Sequence, residues 1–131
     1  MQKLTIPHRL PGLNEIISAS KQMSGRGARK WSNYATMKRH WGSVIAVYIQ
    51  EQKPGPFVPP IGLRFVYTVN DKRRDPDNID AGARKLIIDA LVSAGTIGND
   101  NLNWVSCLIA EFVVGDTDSV TVHFEDTKTI I

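Results

Sequence analysis

Asp71-Lys-Arg-Arg-Asp-Pro-Asp-Asn-Ile-Asp80 is the stretch that decides the fold, because an extended segment ends before it and a helical segment follows it. Residues 61–70 alternate apolar side chains from Leu63 to Val69 and predict a strand with one buried face. Residues 79–94 repeat them every three or four positions and predict a helix whose buried stripe ends at Ala94. Pro76 keeps Asp75 extended, and Asp77 or Asn78 can cap the helix. The stretch is therefore a charged connection between a strand and a helix.

The segments before this stretch supply a first strand and a first long helix. Residues 2–8 predict a short strand at a sheet edge, and a short helix can start near Leu13 with Asn14 as its cap. Residues 32–52 repeat apolar side chains with a helical period, and Ser32 or Asn33 can cap that helix. We therefore expect one strand and one main helix before residue 61.

The segments after it supply a second main helix and two closing strands. Gly95 is a suitable residue to end the helix over residues 79–94, and residues 104–114 and 119–124 read as strands joined by a polar turn. The predicted order is β-α-β-α-β-β. It corresponds to an α+β fold, a small mixed β-sheet with two main helices, in a single domain over residues 1–131.

The composition is that of an ordinary globular protein with 131 residues, of which 42% are hydrophobic and 22% charged. Its one cysteine, Cys107, lies in an apolar run and is predicted to be a buried structural thiol. There is no secretory segment near the start, and no apolar run approaches the roughly 20 residues that cross a bilayer. We expect a soluble, intracellular protein with no membrane partner.

The positive charges are concentrated in two places, although the net charge of +3 is only mildly basic. One is the segment over residues 19–30, which includes Arg26, Arg29 and Lys30 and reads either as a solvated loop or as an arm that binds nucleic-acid phosphates. The other is the central stretch and the helix after it. Their candidate DNA contacts are Lys72, Arg73, Arg74 and Arg84.

The acids of the central stretch have two interpretations. Acids at the start of a helix can simply cap it and interact with its dipole. However, one acid suffices for a cap, and here Asp75, Asp77 and Asp80 occur together, directly after three cations. Asp75 and Asp77, with Asp100 from beyond the helix, form a set of oxygen ligands of the kind that Mg²⁺ uses. Such a site would support hydrolysis of a phosphodiester. Asp100 can join the pair only if the loop after Gly95 turns back.

Three segments together resemble the RusA family of Holliday junction resolvases, the phage type in particular. They are Arg73-Arg-Asp-Pro-Asp-Asn-Ile, Lys85-Leu-Ile-Ile-Asp-Ala-Leu-Val-Ser-Ala-Gly and Ile97-Gly-Asn-Asp-Asn, and Leu10-Pro-Gly-Leu-Asn-Glu fits the family more weakly. The resemblance implies a homodimeric, Mg²⁺-dependent endodeoxyribonuclease that cuts four-way DNA junctions, with Mn²⁺ as a substitute metal. It also implies a cytoplasmic enzyme of a bacterial host or its phage.

The resemblance also implies roles for individual residues. Asp75, Asp77 and Asp100 match the metal-binding aspartates, Lys85 matches a lysine expected to contact the scissile phosphate, and Asp89 matches an acid with a supporting role.

Two departures from the family pattern leave alternatives open. The segment from Asp77 to Lys85 is longer by about one helical turn, ~4 residues, so Arg84 could replace Lys85. Asn99 stands where many members carry a second acid, although its amide oxygen can still act as a ligand. The alternatives are a less selective metal-dependent nuclease on flap or branched DNA and a non-catalytic DNA-binding protein of the same fold.

Overall fold

The computed structural model describes residues 2–21 and 33–126. In those residues the chain forms four strands and three helices. In chain order they are β1 (Gln2–Ile6), α1 (Leu13–Ser20), α2 (Tyr34–Gln52), β2 (Ile61–Val69), α3 (Pro76–Ser93), β3 (Val105–Val114) and β4 (Ser119–Asp126). None of these helices is long and apolar enough to span a membrane.

The four strands form one sheet in the order β1-β4-β2-β3. β4 is antiparallel to both β1 and β2, whereas β2 and β3 are parallel and are connected through α3. The predicted α+β class and mixed sheet are confirmed, as is the position of β1 at an edge. The predicted order counted only two main helices. Because α1 forms a full helix of 8 residues, the observed order is β-α-α-β-α-β-β.

The core lies between one face of the sheet and the helices. Alternate residues of β2, namely Leu63, Phe65, Tyr67 and Val69, are buried as predicted, and they share the core with the apolar stripe of α3. Two predictions of burial are wrong. Ala94 is exposed because it is the C-cap residue beyond the last turn of α3. Cys107 is only half-buried because it lies on the strand face that the helices do not cover.

The start of α3 differs from the prediction. Its N-cap is Asp75, not Asp77 or Asn78, because Pro76 takes the first helical position. Proline suits that position, since the backbone N–H there has no hydrogen-bond partner within a helix. Asp75 Oδ1 accepts a hydrogen bond of 3.0 Å from the backbone N–H of Asp77. The helix thus begins three residues earlier than expected, and Asp77 lies in its first turn.

Helices α1 and α2 differ in how well their caps were predicted. The N-cap of α1 is Gly12, and the predicted cap, Asn14, instead donates its backbone N–H to Asn78 Oδ1 of α3 at 2.7 Å. In α2 the predicted cap Asn33 is confirmed, since its side chain accepts a hydrogen bond of 2.9 Å from Thr36 N. The alternative cap, Ser32, lies outside the described residues.

Helix α3 is held against the turn before α1 by close backbone contact. A Cβ atom at Gly82 would lie 2.3 Å from the carbonyl oxygen of Pro11 and 2.7 Å from Cα of Gly12, so only glycine fits there. Together with the hydrogen bond from Asn14 to Asn78, this contact fixes the first turns of α3.

The parallel pair defines two ends of the sheet. At one end β2 and β3 finish side by side, with Val69 opposite Val114 and Gly115 N donating to Val69 O. At the other end they begin, with Ile61 opposite Val105. We call the first the charged end, because the loop over residues 70–75 leaves the sheet there, and the second the opposite end.

Candidate functional site

Asp75 and Asp77 lie exposed at the charged end, at the N-terminus of α3. One oxygen of Asp75 caps the helix, which leaves its second oxygen and both oxygens of Asp77 for other partners. Among residues 2–21 and 33–126, neither carboxylate takes part in an ion pair. The positive end of the helix dipole favours negative charge at this position. The two aspartates therefore form an accessible anionic pair.

Three other acids near this pair are each paired with an arginine, whereas Asp116 of the β3–β4 turn is exposed and has no ion pair in the described residues. Asp71 accepts two hydrogen bonds from the guanidinium of Arg73, the closer at 2.9 Å, which lowers the pKa of its carboxyl to about 2. Asp118 lies 3.8 Å from the guanidinium of Arg74. Asp80 forms a paired hydrogen bond with Arg84. The acids with a structural role are thus paired, and the two aspartates that match the metal motif are not.

Arg74 acts as an anchor for the loop that carries the site. Its side chain is 12% exposed, and burial, followed by the charge of Arg9, lowers its pKa. Its partner Asp118 also accepts the backbone N–H of Asn70 at 3.1 Å, so the β3–β4 turn holds the loop at both ends. Of the three predicted cations before Asp75, Lys72 and Arg73 are exposed, whereas Arg74 is largely enclosed. Lys72 is the more accessible to a phosphate, because the guanidinium of Arg73 is bonded to Asp71.

Arg84 is held by the interior of the protein. Its guanidinium is bonded to Asp80 and lies 5.5 Å from the ring centroid of Phe65, a cation–π contact. Tyr67 donates its hydroxyl to Asp80 Oδ1 at 2.6 Å, and burial followed by this bond raises the pKa of Tyr67. Arg84 thus completes a network between α3 and β2, with little of its guanidinium left for DNA.

Lys85 points away from this network and is accessible, with 56% of its side chain exposed. Its Nζ lies 3.8 Å from Asp89 Oδ2, one turn further along α3, and Lys38 of α2 lies 3.3 Å from the same oxygen. The two lysines therefore share one surface, although they are far apart in sequence. Lys38 and Arg39 also line a groove of about 510 Å³ between α2 and α3. The ion pair between Lys85 and Asp89, four positions later on α3, is the contact through which Asp89 would take its predicted supporting role.

Asp100 lies at the opposite end of the sheet, because the loop after Gly95 does not turn back. Trp104 O accepts the backbone N–H of Ile61 at 2.8 Å, and Asn101 O accepts those of Trp104 and Val105. These bonds hold the residues beside Asp100 at the start of β2 and β3. The nine residues of β2 separate the two ends by about 25–30 Å. A single copy of the chain therefore does not bring Asp100 to Asp75 and Asp77.

Asn99 and Asp100 both lie exposed in this loop. The Asn99 amide oxygen accepts the backbone N–H of Asp100 at 2.7 Å, so it is already in use within the loop. Asp100 itself keeps a free carboxylate in the described part of the chain, since no ion pair involves it there.

The donor set fits a divalent cation in part. Within residues 2–21 and 33–126, no three His, Cys, Asp or Glu side chains lie close enough together to hold one metal ion. Two carboxylates with water and a substrate phosphate are nevertheless a common Mg²⁺ environment. Asp75 and Asp77 match that environment, whereas Asp100 of the same copy does not contribute to it.

Some residues of the site carry little signal in the sequence. Arg9 stands alone between two prolines, yet its charge reaches Arg74 at the charged end. Asn78 supports α1, and Asp118 anchors the loop from a turn that reads as ordinary polar sequence. A conserved polar residue in a turn would have been a signal, but a single sequence does not contain it. The predicted DNA contacts Arg26, Arg29 and Lys30 lie outside the described residues.

No family model matches the chain, and no curated protein matches it either. The interpretation of the site therefore depends on its residues, their contacts and the topology that separates the two ends of the sheet.

Proposed function

We propose that this protein is a Mg²⁺-dependent, structure-specific endodeoxyribonuclease that resolves four-way DNA junctions, as its resemblance to the RusA family implies. The observation that carries the proposal is that Asp75 and Asp77 have no arginine partner in the part of the chain that the structure describes, whereas three acids around them do. Asp71, Asp80 and Asp118 are paired with arginines, whereas Asp75 and Asp77 remain exposed and without an ion pair in the described residues. A cation bound by both carboxylates would offset the repulsion between two negative charges held at one helix start.

A cap alone does not account for this pair. Asp75 supplies the capping oxygen, so the carboxylate of Asp77 is not needed for that purpose. Beside the pair, exposed Lys72 can bind a phosphate next to the scissile bond, and Arg73 can do so if its guanidinium exchanges Asp71 for the phosphate. Lys85, two turns into α3, can approach the developing charge on the phosphate, while Asp89 limits the directions of its side chain. Mg²⁺ held by Asp75 and Asp77 would supply activation of water and polarisation of the phosphoryl oxygen.

The position of Asp100 adds a requirement to the proposal. If Asp100 is a ligand together with Asp75 and Asp77, it must come from a second copy of the chain, because the length of the sheet separates them in one copy. A homodimer also suits the substrate, since two symmetric cuts in a four-way junction need two sites. The same assembly would therefore complete each site and provide a pair of them.

The test is cleavage of a labelled four-way junction with Mg²⁺ and with a chelator. We expect Asp75→Asn and Asp77→Asn each to lower the cleavage rate by at least about 100-fold, which is the usual effect of removing one group that stabilises charge in the transition state. Junction binding should stay intact. The control is Asp116→Asn, the same change on an exposed acid of the β3–β4 turn, which should cleave normally. Unchanged cleavage by both motif variants would reject the site.

A second candidate is a non-catalytic protein that binds branched DNA. It is favoured by Asn99, which stands in place of an acid and whose amide oxygen is already bonded to the backbone of Asp100. Salt-dependent junction binding without cleavage in either Mg²⁺ or Mn²⁺ would support this candidate. Equal cleavage of flap, linear duplex and four-way substrates would instead indicate a less selective nuclease.

A further inference from the structure

Arg9 is a cation of the charged end that the sequence pattern did not assign to the site. β1 and β2 both run antiparallel to β4, with Ile6 of β1 and Tyr67 of β2 each opposite Val120. The two strands therefore finish at the same end of the sheet. Arg9 follows β1 by three positions and lines a narrow cleft together with Arg74. Two arginines from separate loops thus meet at the charged end.

The loop that carries Arg9 is packed against the first two turns of α3. Leu10 is buried in the core, and the carbonyl oxygen of Pro11 lies so close to Gly82 that a Cβ atom would not fit there. The first turn of the same helix carries Asp77. The backbone at Arg9 is therefore fixed near the helix start that carries the acid pair.

The charge of Arg9 is not matched by an acid in the described residues. Arg9 is exposed and takes part in no ion pair within residues 2–21 and 33–126. Its charge also acts against that of Arg74, whose side chain is only 12% exposed and lies 3.8 Å from Asp118. Like charges held together are unfavourable, so packing within the described residues does not account for a cation at this position. A bound anion would account for it.

The three arginines of the loops at the charged end differ in what holds them. The guanidinium of Arg73 is bonded to Asp71, and that of Arg74 is largely enclosed beside Asp118. Arg9 alone among them is exposed and without an acidic partner in the part of the chain that the structure describes. Its guanidinium can therefore bind two oxygens of one phosphate, the geometry that arginine favours.

We propose that Arg9 binds a phosphate of the DNA backbone beside the scissile one, so that it contributes to affinity and not to the chemical step. The inference rests on the proposed function, which supplies DNA as the ligand. Arg9 takes the neighbouring phosphate because its cleft includes Arg74 but neither Asp75 nor Asp77. A contact of this kind is equally strong before and during the reaction, and it therefore changes binding alone.

The contact is tested by binding of a fluorescently labelled four-way junction in the presence of a chelator, so that no cleavage occurs. We expect Arg9→Gln to raise the dissociation constant by about tenfold, and to reduce the slope of log affinity against log salt concentration by about 0.9, the value for one lost phosphate contact. Arg9→Lys keeps the charge and should keep the slope. The control is Lys3→Gln, which removes an exposed cation from the face of β1 that the helices do not cover. It should change the dissociation constant by less than about twofold.

Two further measurements separate a phosphate contact from a structural or a catalytic role. The single-turnover cleavage rate of Arg9→Gln at saturating protein should stay within about twofold of the wild-type rate. Its midpoint of unfolding in urea should be unchanged or higher, because the like charge beside Arg74 is removed. Equal dissociation constants for Arg9→Gln and Lys3→Gln, an unchanged salt slope in Arg9→Gln, a lowered urea midpoint or a lowered rate would each overturn the inference.

A failure of the proposed function gives a different result in the same experiments. A wild type that binds the junction but does not cut it with Mg²⁺ or Mn²⁺ rejects the nuclease, while the weaker binding of Arg9→Gln still supports the contact. A wild type that cuts the junction, with Arg9→Gln binding it as tightly, rejects the contact alone.

Discussion

The two edges of the sheet are finished in opposite ways. At the β1 edge the side chain of Gln52, from the end of α2, donates to Thr5 O at 2.8 Å and accepts from Thr5 N at 2.8 Å. Gln2 of the same strand accepts the backbone N–H of Gly55. At the β3 edge no such cover exists among residues 2–21 and 33–126. The chain thus satisfies one edge by itself and leaves the other, which is more apolar, open in the described residues.

This difference bears on function because of the parallel pair. A parallel pair places the loop after β2 and the loop before β3 at opposite ends of the sheet, which is why Asp75 and Asp100 are far apart in one copy. A second copy of the chain in the opposite orientation could bring these two ends together. If two copies associate so that Asp100 of one lies near Asp75 and Asp77 of the other, each site combines residues of both copies. A change at either end of one copy then alters one of the two sites of the dimer.

The largest effect is expected from mixing two inactive variants. Asp75→Asn and Asp100→Asn should each lower junction cleavage by at least about 100-fold. In a mixed dimer, one site carries both changes and the other carries none, so one site is restored. Refolding the two variants together should return about one quarter of the wild-type sites by statistical pairing. The measurement is nicking of a labelled junction on a denaturing gel.

The matched control for this mixture is Asp75→Asn with Asp77→Asn. Both changes lie at the charged end, so every mixed dimer has one change in each site and stays inactive. Cleavage by the control mixture, or no cleavage by the test mixture, would mean that Asp100 of one copy does not complete the site of the other.

An intermediate effect is expected at two neighbouring cations of α3 that lie on different sides of the helix. Lys85→Ala should lower cleavage by about tenfold or more, because an exposed cation near the phosphate is lost, and should barely change stability. Arg84→Ala should instead lower the free energy of unfolding by about 1–3 kcal/mol, since Asp80 then keeps only Tyr67 as its partner in the network. Chemical denaturation and single-turnover cleavage separate the two effects.

The conservative variants sharpen this comparison. Lys85→Arg keeps the charge and should retain part of the activity, while Arg84→Lys loses the paired bond to Asp80 and should remain destabilised. A larger loss of cleavage in a stable Arg84→Ala than in Lys85→Ala would show that the extra helical turn has exchanged the roles of these residues.

The sequence was sufficient for the elements whose pattern is local. The alternation of β2 and the apolar repeat of α3 predicted both the elements and their buried sides, and Asn33 was identified as a cap from its type and position. The start of α3 was placed too late. Asp77 and Asn78 are as suitable for a cap as Asp75, and only the position of Pro76 decides among them.

What the sequence could not supply was long-range. Nothing local to Asp118 or Arg9 indicates that they reach Arg74, and nothing local to Asp100 tells at which end of the sheet it lies. The position of Asp100 follows from the parallel pairing of β2 with β3. This pairing brings together residues about 44 positions apart in the chain, such as Ile61 and Val105. The acids of the candidate site could thus be proposed as a set, but the sequence did not show that Asp100 lies far from the other two within one copy.

The smallest effect is expected at the closed edge. Gln52→Ala removes both hydrogen bonds to the backbone of Thr5 and should lower the free energy of unfolding by about 1–2 kcal/mol, because water replaces only part of their contribution at a partly exposed edge. Gln50→Ala, an exposed glutamine on the same helix, is the control and should change stability by less than about 0.5 kcal/mol. Denaturation in urea measures both. Equal loss of stability in the two variants would mean that the hydrogen bonds of Gln52 do not hold this edge.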